Sequence, residues 1–461
     1  MNSDQGLIQS AMDSVMKTHD KVKYDPSRPQ YHLLPPSMWM NDPNGPIFYN
    51  KKFHLFYQHQ PFKSKWGIMY WGHAESTDLL NWTHLPIALA PDKEKGEKYC
   101  FSGCCVDNNG IPTILYSSIK SLGFDVIFGA QTWSATSDSD LIRWRRNPSN
   151  PILDRTIHKN ERVRQIRDPY IWREQGLWHM VLGGQLTRPW RGAIFHYTSP
   201  DLETWNYIGT LCEGNPKTHR KPWECPNVLN WGDFSVILIS PFDKVQYALF
   251  HNTIQESDWR ILDHGKSFYA PNTMKNPENE QEYVLWGWIK GGGLNKQWNG
   301  CFTLPRIISL EYKELRIRPS PVLEKLRNSH HHFEEQSAIL NFHDGCGELI
   351  VQFAKNRQCT LEIYNDPSKK YTIHYNPDSH AIRMGDENCL NVQSDTEVMK
   401  LHLFVDRSVV ELYINDSGCF TSRFYPDDYK DIIIDCRVPG MELTSIDGWD
   451  LNPISQEFSL K

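Results

Sequence analysis

The chain is 461 residues long, and its 49 basic and 55 acidic residues leave a formal net charge of −6. That balance lacks the concentrated basic face that a phosphate backbone requires, which excludes nucleic acid as a partner. No apolar run approaches the roughly 18 residues of a membrane span, so no membrane partner is expected.

Eleven cysteines, with Cys104 and Cys105 adjacent and no Cys-x-x-Cys pair, read as reduced thiols in a cytoplasmic protein. They supply neither a disulfide framework nor the spacing of a structural zinc site. Met1–Arg28 is polar and has no apolar core of a secretory leader. Residues 1–30 are therefore expected to form a polar extension, with a short helix over Gln5–Lys17.

From Tyr31 a repeating unit sets in. Pro46–Tyr49 passes through Asn50 and Lys51 to Phe53–Tyr57. Phe101–Val106 turns at Asn108, Asn109 and Gly110 into Ile111–Tyr116. Pro169–Trp172 turns at Glu174, Gln175 and Gly176 into Leu177–Leu182. Val228–Leu229 turns at Asn230–Asp233 into Phe234–Ile239, and Phe268–Thr273 crosses a Pro/Asn/Glu loop into Tyr283–Trp288. Turn residues between β-rich runs are the hairpin signal. An Asp-Leu-x-x-Trp element recurs at Asp78/Trp82, Asp140/Trp144 and Asp201/Trp205, at spacings of 62 and then 61 residues. Two independent markers on one period predict a five-bladed β-propeller over residues 31–306.

Residues 307–332 are expected to be a linker, with His330-His331-His332 a solvated tract at its end. Beyond it, Leu349–Phe353, Cys359–Tyr364, Tyr371–Tyr375, Met399–Val405 and Val409–Ile414 alternate apolar and polar positions. These predict half-exposed strands of an antiparallel β-sandwich over residues 333–461. The fold class is thus all-β. Three roles stay open for the second domain: stabilising the propeller, supporting a homodimer or extending a ligand site.

Three acids open units of the repeat: Asp42 in Trp-Met-Asn-Asp-Pro-Asn-Gly (39–45), Asp168 in Arg-Asp-Pro (167–169) and Glu224 in Trp-Glu-Cys-Pro (223–226). A repeat that returns a carboxylate to the equivalent place gathers the carboxylates around one axis. Paired carboxylates are the equipment for cleaving a glycosidic bond, one attacking or activating water and the other protonating the leaving oxygen. Asp42 precedes a Pro-Asn-Gly turn that holds it rigidly, which suits a nucleophile. Glu224, between Trp223 and Cys225-Pro226, is expected to be desolvated and protonated, as a general acid must be. Asp168 follows Arg167, whose charge should keep it ionised and able to stabilise developing positive charge. No metal or organic cofactor is needed.

These motifs resemble glycoside hydrolase family 32, the invertases and fructan hydrolases. The likeness extends through Phe56-Tyr57-Gln58, Trp71-Gly72-His73-Ala74, Phe101-Ser102-Gly103, Phe268-Tyr269-Ala270-Pro271, Trp286-Gly287-Trp288 and Leu304-Pro305-Arg306 to Val405–Glu411 in the second domain. The resemblance implies a five-bladed propeller with a sandwich, and retaining hydrolysis of small β-fructofuranosides such as sucrose or short fructo-oligosaccharides. It implies Asp42 as nucleophile, Glu224 as acid/base and Asp168 as transition-state stabiliser. Asn41, Gln58, Trp66, Phe101, Ser102, Arg167 and Tyr269 match positions lining the fructose pocket. Exo-acting fructan hydrolysis, fructosyl transfer and non-catalytic sugar binding are the alternatives. Two departures bear on substrate preference: Cys104-Cys105 after Gly103, and Ile289-Lys290-Gly291 after Trp288, both expected near the leaving group.

Overall fold

The computed structural model describes residues 3–159, 161–251, 254, 258–292, 296–387, 390–391, 396–440 and 445–459. Five sheets built on antiparallel strands follow one another along the first two thirds of the chain, the first also taking two short parallel strands from later in the sequence. Their opening strands are Met38–Tyr49, Tyr99–Asn108, Val163–Glu174, Glu224–Trp231 and Phe268–Asn276. Each opening strand packs against that of the next sheet, and the fifth returns to the first. This closed ring of opening strands around one axis is a propeller of five blades.

The hairpins that the turn residues announce are the first two strands of each blade, pairing Tyr49 with Lys52, Asn108 with Ile111, Glu174 with Leu177, Trp231 with Phe234 and Asn276 with Asn279. The Asp-Leu-x-x-Trp element joins the third and fourth strands of the first three blades. Its leucines, Leu79, Leu141 and Leu202, take φ of 66°, 55° and 67°. That left-handed backbone is costly for a leucine. The turn is held by the aspartate, whose carboxylate accepts the following amides, and by the tryptophan, whose indole N–H donates to the leucine carbonyl at 2.9–3.2 Å.

The fifth blade corrects the expected linker. Arg306–Glu311 and Glu314–Pro319 are its outer strands, paired with Asn279–Ile289 and with each other, so the propeller runs to Pro319. A 3₁₀ segment, Pro321–Leu326, is all that separates it from the sandwich. His330–His332 belong to the first sandwich strand, Arg327–Phe333. The N-terminal extension is also more than a polar lead. Its helix spans Ser3–Val22, and Ala11 and Met12 pack with Tyr70, Ile87 and Ala90 of the first blade. Among the described residues no helix is long and apolar enough to cross a membrane, and every described cysteine is a free thiol.

The sandwich consists of two six-stranded sheets around a shared apolar core. Strands such as Ser337–Phe342 alternate strictly between exposed and buried. Val409–Ile414 and Gly418–Arg423 do not: all their residues are buried, because their outer face is pressed against the propeller. The half-exposed reading therefore fails for the docking strands.

The docking surface is polar and ionic, and it is built from two of the quoted motifs. Arg306 donates to Glu411 at 2.7 and 3.2 Å, to Asp263 at 2.8 Å and to the Thr421 hydroxyl. Glu411 also accepts from the Leu304 amide and the Tyr413 hydroxyl, and bonds His32. Asp406 accepts the amides of Gln30, Tyr31 and His32. Burial raises the cost of a charged Glu411, but the Arg306 charge and the His32 bond outweigh it and hold the carboxyl down to about 2. Removing one member of such a buried pair leaves the other uncompensated. Glu411→Ala is expected to cost about 3–5 kcal/mol of stability, and the double change Arg306→Met/Glu411→Leu less than the sum of the two single changes. Thermal and urea denaturation of Glu411→Ala, the double variant and its two single variants measures both.

Candidate active site

One irregularity recurs in all five blades and builds the site. Between Met40 and Pro43 the opening strand advances three residues while its partner advances two, from His59 to Tyr57. The same one-residue bulge occurs at Cys100/Gly103, Arg167/Tyr170, Glu224/Asn227 and Tyr269/Asn272. A bulge bends its strand and re-aims its side chains, here toward the propeller axis. Eight of the ten residues singled out from the sequence occupy the first three positions of these bulges: Asn41, Asp42, Phe101, Ser102, Arg167, Asp168, Glu224 and Tyr269.

The three acids do not occupy equivalent places, contrary to expectation. Glu224 stands at the first bulge position, Asp168 at the second and Asp42 at the third. In the last three blades a proline fills the third position, and the residue before it takes a positive φ: 64° at Asp168, 46° at Cys225 and 46° at Ala270. In the first blade the proline, Pro43, comes one residue later, so Asp42 takes the place that Pro169 holds in the third. Convergence comes from the shared bulge rather than from strict repetition.

Asp42 is pinned by several donors. Asn41 Nδ2 donates to its Oδ1 at 2.9 Å, while Ser102 Oγ at 2.6 Å and Gln58 Nε2 at 3.3 Å donate to Oδ2. Trp39 Nε1 donates to Asn41 Oδ1 at 2.8 Å, which fixes the orientation of the amide that serves Asp42. Cys225 Sγ lies 3.7 Å from Oδ2 of both Asp42 and Asp168, so those oxygens are at most twice that distance apart. Burial pushes the Asp42 carboxyl above the ordinary range, against the pull of its Ser102 and Asn41 bonds.

Glu224 is held by a fork. Arg167 Nη2 and Nε donate to Oε1 at 2.7 and 3.1 Å, and the Tyr269 hydroxyl donates to Oε2 at 2.7 Å. Arg167 therefore serves Glu224 first, and its nearest approach to Asp168 is 3.8 Å. The expected Arg167–Asp168 partnership is thus the weaker of the two. Asp168 is only 5% exposed and accepts the Cys225 amide at 3.1 Å, while its own amide donates to Ser117. Burial pushes its carboxyl up to about 7, the Arg167 charge opposing and Glu224 and Asp42 reinforcing the rise. The expectation that Arg167 keeps Asp168 ionised is overturned: burial beside two other carboxylates outweighs one shared guanidinium.

Gln58, on the second strand of the first blade, is 4% exposed and joins Asn41 and Ser102. Trp66 is 45% exposed and stacks on Tyr99 with its edge toward Phe101, an aromatic rim at the mouth. Eight of the ten expected residues are thus linked through hydrogen bonds and the shared Arg167 and Cys225, while Phe101 and Trp66 pack on each other beside Ser102. Sequence reading missed Cys225 as a member, although superposing the bulges places it where Asp168 stands in the preceding blade. Of the two departures expected near the leaving group, Lys290 does reach the constellation: its ammonium lies 4.2 Å over the Tyr269 ring.

The other departure fails its expectation. Cys104 and Cys105 are buried and line a cavity of about 620 Å³ at the opposite end of the axis, with Gly45–Phe48 and Asn272–Lys275. A void of only about 10 Å³, walled by Pro43, Pro169, Pro226 and Pro271, lies between that cavity and the acids. Gly103 makes this tight centre feasible, since a Cβ there would stand 2.1 Å from the Leu115 carbonyl oxygen.

Residues 32–319 match the model for the glycosyl hydrolases family 32 N-terminal domain, and residues 322–439 match that for the family 32 C terminal. Sucrose-6-phosphate hydrolases of Zymomonas mobilis and Escherichia coli are each 30% identical, over 92% of this chain and 92% and 94% of theirs. A Bombyx mori β-fructofuranosidase mutant in complex with sucrose superimposes with a TM-score of 0.83, at 26% identity over 98% of this chain and 99% of that one. With both domains matched and the bulge constellation intact, the chain belongs to glycosyl hydrolases family 32.

Proposed function

We propose that this protein hydrolyses small β-fructofuranosides with retention, through a fructosyl-enzyme intermediate on Asp42. The observation that carries the reading is the contrast between the two end carboxylates. Asp42 is immobilised by three donors, which suits attack on an anomeric carbon from a fixed position. Glu224 has one oxygen on Arg167 and the other on the Tyr269 hydroxyl, so a proton on Glu224 and its anion both find partners. Glu224 protonates the departing glycosidic oxygen in the first step and takes a proton from water in the second. Relatives named sucrose-6-phosphate hydrolase and raffinose invertase, and the sucrose-bound neighbour, support a sugar of that size.

Asp168 completes the argument through its cost as an anion. Before reaction, burial beside two other carboxylates disfavours its charge. Positive charge developing on the fructosyl ring removes that penalty, so the carboxylate interacts more strongly with the transition state than with the ground state.

A second feature supports a phosphorylated leaving group. Lys290 lies on the Tyr269 ring at the mouth and makes no ion pair with a carboxylate among the described residues. Burial and neighbouring Lys244 hold its ammonium below the ordinary range, while Asp42, Asp243 and Glu224 pull the other way. A half-buried cation lacking a fixed partner suits an anionic substituent on the sugar that leaves.

Three outcomes follow. Asp42→Asn is expected to abolish sucrose turnover, and Glu224→Gln to lower kcat by about 10²–10⁴-fold. With an aryl fructoside, whose leaving group needs no proton, the Glu224→Gln loss should be much smaller. NMR of the first product should show β-fructofuranose before mutarotation, and an initial α-anomer would exclude retention.

For Asp168 the sign is set by its raised value. Between the unfolded carboxyl's range near 4 and the folded value of about 7, the native state binds the extra proton. Stability from this group is full below that window and falls as pH rises through it. Asp168→Asn should therefore melt above the parent protein at pH 8, converge with it by pH 4, and be inactive throughout.

Lys290→Met should lower kcat/KM for sucrose 6-phosphate by about 10–100-fold, the worth of a hydrogen bond to a charged group, and change sucrose far less. Equal losses on both substrates would remove Lys290 from phosphate recognition.

A further inference from the structure

The first strand of the sandwich carries a cluster unrelated to the propeller site. In an antiparallel pair, residues two apart share a face, and Arg327–Phe333 lies at the edge of its sheet beside Ser445–Leu451. His332 stands opposite Asp447 and His330 opposite Trp449, so both imidazoles project on the same side as the carboxylate. His332 Nδ1 lies 2.7 Å and His330 Nε2 3.0 Å from the same oxygen, Asp447 Oδ1. These ligand atoms all fall within 4.8 Å of one another.

The geometry points to a divalent transition-metal site, of the kind zinc takes, formed by His330 Nε2, His332 Nδ1 and Asp447. Around a zinc ion with bonds of about 2.0–2.2 Å, tetrahedral ligand atoms sit about 3.3–3.6 Å apart. The two histidine–carboxylate spacings need a small expansion to admit the ion, and the two imidazole nitrogens already lie within 4.8 Å of each other. Two imidazoles and one carboxylate suit zinc, copper or nickel and leave a fourth position for water on this open face.

The surroundings hold the ligands in place. Ser445 Oγ donates to Asp447 Oδ2 at 2.7 Å, which orients the carboxylate so that Oδ1 faces the histidines. The His330 ring lies flat on Trp449, with centroids 4.8 Å apart and planes 6° from parallel. Arg327 covers the same indole, its guanidinium carbon 4.1 Å from the ring. Outer partners of this type fix ring orientation in metal sites. His331 projects to the opposite face, 3.9 Å from Asp450, and takes no part. An ion here ties the edge strand to its neighbour directly after the Pro321–Leu326 connector, so it clips the sandwich where the propeller hands over the chain.

The test uses the full chain with zinc(II) alone and cobalt(II) alone. Isothermal titration should show one zinc ion per chain. Cobalt should give the d–d absorption of nitrogen and oxygen ligands without a thiolate charge-transfer band. His330→Ala, His332→Gln and Asp447→Asn should each weaken binding by more than the roughly tenfold that loss of an outer partner costs. His331→Ala should leave binding unchanged. Metal-free melting curves of the exposed-histidine variants should match the parent, which separates loss of the site from loss of the fold. The proposal is overturned if zinc does not bind, if binding survives His332→Gln, or if cobalt reports thiolate ligation.

Discussion

One added residue in each opening strand is the constraint on which the site depends. A regular strand would send successive side chains to alternate faces of its blade, and nothing would collect at the axis. The bulge at Met40/Pro43 and its four counterparts turn consecutive residues such as Asn41 and Asp42, or Arg167 and Asp168, toward the same centre. Five strands bent in this way supply enough positions for three acids, their donors and a guanidinium. The penalty is left-handed backbone at Asp168, Cys225 and Ala270, which the closed ring of blades sustains.

Crowding then sets the chemistry. Asp168 and Glu224 share one guanidinium, and Cys225 stands between Asp42 and Asp168 with its thiol pushed up by burial and by both aspartates. A neutral thiol at that point separates like charges without adding another. Around this centre the aromatic and apolar packing is divided into clusters between blades, so each blade supports its neighbour's bulge.

The repeat was readable because turns and period are local properties. Asn50-Lys51 and Asn109-Gly110 sit at tight turns with positive φ at Asn50, Lys51, Asn109 and Gly110, and such turns leave a composition signature. The identities of the acids were readable for the same reason, since Pro43, Pro169 and Pro226 mark the bulges that hold them. What the sequence concealed is relational. Whether Arg167 serves Asp168 or Glu224 depends on how two blades meet, and adjacency along the chain favoured the wrong partner. The end of the propeller was misplaced because Arg306–Glu311 and Glu314–Pro319 lack the opening motif of a blade and pair backward onto a strand already formed. Nor do Val405–Glu411 disclose that Asp406 and Glu411 face another domain; their alternation is that of any sandwich strand.

The final strand, Gln456–Phe458, lies parallel to Trp82–Leu89 on the outer edge of the first blade. Gln456 also bonds the backbone of His32 and Leu34, and Ser455 meets Asn81, 374 residues away. On the ribosome the first blade emerges early but waits for this strand until synthesis reaches it. Its edge meanwhile stays open to unwanted pairing with other nascent chains. The order of translation thus leaves an early blade unsealed until a strand made much later arrives, and chaperone demand should fall on that exposed edge.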